Sequence, residues 1–291
     1  MLLKIGSRGQ QVTDWQNFLN TQGLNAGTAD SIFGTGTATA TKGCQSGHGV
    51  SADGLAGNDT IAVAQGLGFQ FTASSFPPVG NINAVVDISH FQSNVDFAAV
   101  RGDGLFGVIH KATQGTGYTD PEYAPNRPAA LAQELLWGAY HFGTAQDVDT
   151  QVSHFLQTAA ANENTLLVLD WEENGIASQG TMSLDQAVQF VQGVKDRVGK
   201  YPVLYGGSLI KNSVGTGNSV LSQCPLWLAQ YSTNPSLPNG WTSYAMWQST
   251  DGVHGAAPHS VNGIGNCDRD VFAGTASELA AFWKSGLIMA V

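Results

Sequence analysis

Four acidic residues stand where apolar, strand-like segments would present them. Asp87 lies in Val85-Val86-Asp87-Ile88-Ser89. Asp170 and Glu172 lie in Leu167-Val168-Leu169-Asp170-Trp171-Glu172, and Asp268 lies in Cys267-Asp268-Arg269-Asp270-Val271-Phe272. An acid at the end of an apolar strand is expensive to place without a use. Side chains alternate across a strand, so Asp170 and Glu172 share one face. Two carboxyls held that close resist ionising together, and one can keep its proton as a general acid. A protonated and an ionised carboxyl side by side are the equipment for breaking a glycosidic bond.

The elements that would carry these acids can be traced along the chain. From about residue 82 onward eight segments read as strands, at roughly 84–89, 106–111, 136–142, 165–171, 202–206, 226–231, 244–249 and 268–272. Helical patterns separate the earlier ones. The clearest runs from Ser183, a capping residue, to Gly199, with Leu184, Ala187, Val188, Val191, Val194 and Val198 as its apolar stripe. Alternation of strand and helix predicts an α/β fold with a parallel sheet, and eight strands predict closure into a (β/α)-barrel of the TIM-barrel kind. The connections after the fifth strand are poor in helical pattern, so the helical ring is expected to be incomplete. Asp268 opens its strand instead of ending it. To reach the other three acids, that strand must run opposite to its neighbours or the loop before it must enter the site.

The first 70 residues form a separate small unit. Val12, Trp15, Phe18 and Leu19 make a helical stripe that Gly23 is placed to end. Ala29-Asp30-Ser31-Ile32-Phe33-Gly34 then recurs as Ala52-Asp53-Gly54-Leu55-Ala56-Gly57, and Thr37 and Thr60 keep the same offset. Each copy leads into a short helix, which predicts a three-helix domain over 1–70. Residues 71–81, rich in Ser, Pro and Gly, read as a linker to a barrel over 82–291.

Composition narrows the partners. The net charge of −10 argues against nucleic acid or an anionic membrane as the main target. The longest apolar runs fall short of a membrane span. Cys44, Cys224 and Cys267 show no paired spacing, so a zinc site is not expected. A Cys224–Cys267 disulfide stays open beside the reading of buried free thiols. No second histidine lies at ligand spacing from His141, and no metal or cofactor is expected. The opening residues Met1 to Arg8 lack a secretory core, from which cytoplasmic synthesis is expected, with later access to a substrate outside. A monomer is the expected state of two tethered modules.

Together these segments resemble a known family. Asp87-Ile88-Ser89-His90-Phe91-Gln92, Val108 to Gly115, Tyr118-Thr119-Asp120-Pro121, Gly138-Ala139-Tyr140-His141-Phe142, Asp170-x-Glu172, Leu204-Tyr205-Gly206, Leu226 to Tyr231, Met246-Trp247-Gln248 and Asp268-x-x-Val271-Phe272 occur in the order found in glycoside hydrolase family 25 lysozymes, the Chalaropsis-type muramidases. Residues Gly6 to Gln16, Asp30 to Gly34 and Asp53 to Thr60 resemble the peptidoglycan-binding type 1 module. The resemblance implies a barrel with an incomplete helical ring. It also implies hydrolysis of the β-1,4 bond between N-acetylmuramic acid and N-acetylglucosamine.

On that footing Glu172 is the expected general acid. Asp170 is the expected ionised partner, either stabilising an oxocarbenium-like transition state or orienting the substrate's own acetamido group. Asp87 and Asp268 complete the catalytic set. Lys111 and His141 end strands and are candidate substrate contacts. Tyr140, Tyr205, Trp227, Tyr231 and Trp247 offer ring faces to sugar C–H surfaces, and Gln230 and Gln248 offer hydrogen bonds to N-acetyl groups. A non-catalytic wall-binding protein, an enzyme for chitin-like chains and a secreted antibacterial effector are the competing readings. A phage or prophage endolysin fits a muramidase that carries a wall-binding module but no secretory core.

Overall fold

The structure is a computed structural model that describes residues 3–7, 10–30, 32–69, 81–215, 219–232 and 234–285. The chain divides into two compact units, one within residues 1–81 and one over Ile82–Ile288. The expected linker falls, except for Asn81, outside the described residues.

Among its described residues the smaller unit holds three helices, α1 (Gln10–Thr21), α2 (Thr35–Gly47) and α3 (Asn58–Gly66). Its core gathers Val12, Trp15, Phe18 and Leu19 of the predicted stripe with Phe33, Cys44, Ile61 and Phe69. The sequence repeat corresponds to a repeated polar device. Gln16 Nε2 donates to Asp30 Oδ1, the Ile32 carbonyl and Thr37 Oγ1 at 3.0, 3.0 and 3.1 Å. Gln45 Nε2 donates to Asp53 Oδ1, the Leu55 carbonyl and Thr60 Oγ1 at 2.7, 2.9 and 2.9 Å. Each buried amide fixes one turn against the helix that follows it, so the apolar core forms around two satisfied polar centres.

The larger unit is an α/β-barrel. Its strands are β1 (Ile82–Ile88), β2 (Gly107–Gln114), β3 (Tyr118–Thr119), β4 (Leu136–Phe142), β5 (Thr165–Asp170), β6 (Val203–Gly206), β7 (Leu226–Ala229), β8 (Met246–Thr250), β9 (Ser260–Val261), β10 (Gly265–Asn266) and β11 (Asp268–Phe272). Eight of them close a ring in the order β1-β2-β4-β5-β6-β7-β8-β11. Seven are mutually parallel. β11 is antiparallel to both of its neighbours, β1 and β8, with Asp268 opposite Asp87. That reversal is one of the two conditions Asp268 required. β3 extends β2, and β9 with β10 form a hairpin between β8 and β11; none of these three short strands was expected.

Helices α4 (Phe97–Gly102), α5 (Tyr123–Leu131), α6 (Val148–Ala159) and α7 (Leu184–Val198) follow in turn outside the ring, then the short α8 (Ser208–Ser213). Among the described residues no helix joins β7 to β8, so the ring is incomplete where the sequence lost its helical pattern. α7 starts with a capping box between Ser183 and Gln186 and ends at Gly199 with φ 82°. Its buried face is Ala187, Phe190, Val191 and Val194. Val198, in the last turn of the predicted stripe, is exposed.

α9 (Ala276–Ser285) closes the end of the barrel opposite the acids. Trp283 packs among interior residues such as Val85 and Ile109, and its Nε1 donates to the Trp137 carbonyl at 2.8 Å. Gly107 and Gly138 make room for it. A Cβ at Gly107 would lie 2.9 Å from the Trp283 ring, and one at Gly138 would lie 3.3 Å from it. The three cysteines are buried free thiols, so the Cys224–Cys267 bridge is not formed.

Candidate active site

A cavity of about 310 Å3 opens at the C-terminal ends of the parallel strands, where barrel enzymes place their chemistry. Asp87, Asp170, Glu172 and Asp268 all line it, with Lys111, Tyr140, Tyr205, Trp227, Tyr231 and Gln248. Ten of the thirteen predicted site residues therefore converge. The alternation of a strand explains two of the three that fail. Tyr140 and Gln248 point inward, so their chain neighbours His141 and Trp247 point away, while Gln230 lies in the loop after β7.

His141 is fully buried outside the ring, its imidazole stacked on Phe190 at 4.9 Å and bonded to Thr113 Oγ1 and Gln151 Oε1. Burial lowers its pKa to about 3, so it stays neutral. The Gln230 side chain is occupied by Lys211, Ser232 and Ser236, and its carbonyl accepts from Trp247 Nε1 at 2.7 Å. These three residues buttress the wall and do not line the cleft.

Inside the cleft the hydrogen bonds form a directed chain. Tyr205 and Tyr231 hydroxyls both donate to Gln248 Oε1, at 2.8 and 2.7 Å. That fixes which way the amide faces, and its Nε2 donates to Asp87 Oδ2 at 2.7 Å. Gln248, expected to hold an N-acetyl group, lines the cleft and also holds Asp87 in place. Lys111 Nζ donates to Gln114 Oε1 at 2.7 Å and lies 5.1 Å from the Phe142 ring centre. Trp227, only 1% exposed, is mostly core, and its Nε1 donates to Asp270 Oδ1 at 2.8 Å.

Electrostatics push every one of these acids upward. Burial is the main cause at Asp87, Asp170, Glu172 and Asp268. Asp268 and Asp270 add their charge against Asp87, Glu172 acts against Asp170, and Asp268 acts against Glu172. Asp268 rises to about 6, with Asp251 as its second cause. Among the described residues Lys111 is the cation acting on Asp170, and it favours the charged carboxylate there. Burial lowers the pKa of Lys111 itself, while Asp170 and Asp120 hold the proton on it. Asp170 Oδ1 is buried with no hydrogen-bond partner among the described residues.

The sequence reading missed Phe91, Phe142, Gln92 and Asp270. Phe142 and Asp270 were within reach of strand alternation, since they lie two residues from Tyr140 and Asp268. Phe91 sits on the lip of the cleft, 81% exposed, with the His90 ring 4.2 Å behind it. No pattern in the sequence marks it.

The family model for glycosyl hydrolases family 25 matches residues 86–256, more than half of the chain and most of the barrel. The chain belongs to this family. A peptidoglycan binding domain model matches residues 8–63, within the three-helix unit. Lysozyme M1 of Streptomyces globisporus is 28% identical over 210 residues, 67% of this chain and 69% of that protein. The N,O-diacetylmuramidase of Chalaropsis is 28% identical over 61% of this chain and 92% of its own length. Among solved structures, the bacterial lysozyme from Streptomyces coelicolor superposes with a TM-score of 0.61 at 26% identity, covering 72% of this chain and 98% of the other. The family 25 barrel thus carries an added three-helix module here.

Proposed function

We propose that this chain is a peptidoglycan hydrolase, an N-acetylmuramidase that cuts the β-1,4 bond between N-acetylmuramic acid and N-acetylglucosamine. The observation that carries the reading is the convergence of four carboxyls in one cleft, where burial and mutual repulsion raise each pKa above the ordinary carboxylate range.

Glu172 serves as the general acid. It lies in the open part of the cleft, and both burial and the charge on Asp268 hold its proton for the leaving oxygen. Asp170 is its partner carboxyl; burial and Glu172 raise its pKa, and Lys111 opposes them by favouring the charged form the role requires. Its unpartnered Oδ1 suits the N–H of a substrate acetamido group. That supports a mechanism in which Asp170 orients the acetamido oxygen toward the anomeric carbon. Asp87, held by Gln248, and Asp268 complete the acidic floor. Phe91 and the inward tyrosines give ring faces to the sugars. The three-helix module tethers the barrel to its polymer and raises the local concentration of substrate. An endolysin role belongs to the same proposal, since a tethered muramidase suits rapid lysis once the wall is reached. Complementation of a lysis-defective phage tests it.

Digestion of peptidoglycan by wild type and Glu172→Gln decides the central claim. New N-acetylmuramic acid reducing ends from wild type alone are expected. No new ends from either protein, with binding to the polymer retained, would make the chain a wall-binding protein.

A further inference from the structure

Glu172 makes no side-chain hydrogen bond among the described residues, so its loop backbone sets its place in the cleft. That loop is closed on itself. Buried Trp171 donates from Nε1 to the Met182 carbonyl at 2.8 Å, which joins the two ends. Between them the Asn174 N–H donates to Thr181 Oγ1 at 2.9 Å, and Asn174 Nδ2 donates to the Gly180 carbonyl at 3.1 Å and to Gln179 Oε1 at 3.4 Å. Gln179 Oε1 also accepts from Gln114 Nε2 at 2.8 Å, across 65 residues of chain. Gln114 Oε1 in turn accepts from Lys111 Nζ at 2.7 Å. The direction of the chain is fixed, because an ammonium can only donate. We propose that Gln114 and Gln179 are positioning residues, an amide bridge that ties the loop of Glu172 to Lys111.

The bridge depends on an irregularity in β2. Three residues apart on an even strand, Lys111 and Gln114 would face opposite sides of the sheet. Here Lys111 pairs with Tyr140 and Thr113 with His141, which leaves Ala112 as an extra residue. Such a bulge re-aims the side chains that follow it. Thr113 turns outward to bond His141, and Gln114 pairs with Phe142 of the cleft wall and meets Lys111. The ammonium is thus set by one neutral acceptor and by the rings of Phe142 and Tyr118, whose centres lie at 5.1 and 5.7 Å. Its charge is left to act on Asp170. One line of hydrogen bonds therefore joins the cation that favours a charged Asp170 to the loop that aims the acid Glu172. Movement at either end is felt at the other.

The effect on turnover rests on the muramidase reading, but the bridge itself does not, so the test has two arms. Hydrogen exchange on the full chain tests the bridge alone. The amides of Asn174, Ile176 and Gln179 are all bonded within the loop. They should exchange about tenfold faster in Gln114→Leu, as the loss of one neutral hydrogen bond allows. Should that variant not fold, Gln179→Met, which removes the acceptor from a half-buried loop position, takes its place. In the kinetic arm, each variant should lower kcat on peptidoglycan about tenfold, with KM within about twofold of wild type. Gln179→Glu, which keeps the acceptor, should recover most of that loss. On an aryl glycoside of the same muramyl sugar, whose leaving group needs little help from an acid, the loss should shrink to less than about threefold. Faster exchange in a chain that releases no reducing ends would support the bridge and overturn the muramidase reading instead. Unchanged loop exchange, or an equal loss of kcat on both substrates, would overturn the inference.

Discussion

Gln248→Met is the most informative single substitution, because Gln248 joins three groups and methionine keeps the length of its side chain. The first loss is the 2.7 Å bond to Asp87 Oδ2, a bond to an ionisable acceptor worth about 1.5–3 kcal/mol. The second is the acceptor for Tyr205, whose buried hydroxyl is left unsatisfied at about 1–3 kcal/mol. Tyr231 is 41% exposed and turns to water at little cost. The sum, about 2.5–6 kcal/mol, is a large fraction of ordinary domain stability of about 5–15 kcal/mol. Denaturant unfolding should show that loss, and kcat on peptidoglycan should fall about 100-fold as Asp87 loses its orientation. Adding Tyr205→Phe separates the two effects. Removing the orphaned hydroxyl should restore about 1–2 kcal/mol of stability but none of the lost kcat. A Gln248→Met enzyme with wild-type kcat, or strictly additive stabilities in the double mutant, would refute the relay.

Other expectations are as direct. Asp268→Asn should match wild type in stability at pH below ~4 and exceed it by about 2–3 kcal/mol above pH ~6. The sign follows from a folded pKa raised above its unfolded value, which costs wild type stability as pH rises between the two. A pH-independent difference in unfolding free energy would contradict it. Phe91→Ala should raise KM about 5- to 30-fold through a lost stacking face, with stability changed by less than ~0.5 kcal/mol because the ring is exposed. An unchanged KM removes Phe91 from the binding surface. Gln45→Leu strands the Gly54 N–H and should destabilise the three-helix module by about 2–4 kcal/mol. Turnover of soluble glycan fragments should remain intact, and equal losses on soluble and polymeric substrate would disprove the tethering role.

The barrel was legible because each strand is a short apolar run ending in a chemically loaded residue. The reversed β11 was legible because Asp268 stands at the wrong end of its segment for a parallel strand. His141 and Trp247 were misplaced through nominating both members of an adjacent strand pair, although a period of two admits only one to the cleft, and Gln230 because the strand was taken to run to 231 when it ends at Ala229. Which member faces inward depends on closure of the ring, which no single segment reveals. The Gln16 and Gln45 clamps escaped the repeat for another reason. Their partners recur at a constant offset, but the glutamines themselves do not, so spacing alone leaves them unmatched. Asp270 went unassigned because spacing alone does not show that it lies one layer deeper than Asp268 along the same strand.

The antiparallel seam also governs how the enzyme is made. β1 finds one of its two partners only when β11 arrives, and the side chains of Asn83 and Arg269 that join across it are 186 residues apart. A contact so distant in sequence is slow to form and must wait for synthesis of almost the whole barrel. A ribosome-bound or prematurely terminated chain therefore has an open sheet and lacks Asp268 as well. Closure of the ring and completion of the acidic cluster become one event, so truncated products are inert and lytic activity begins only with the finished fold.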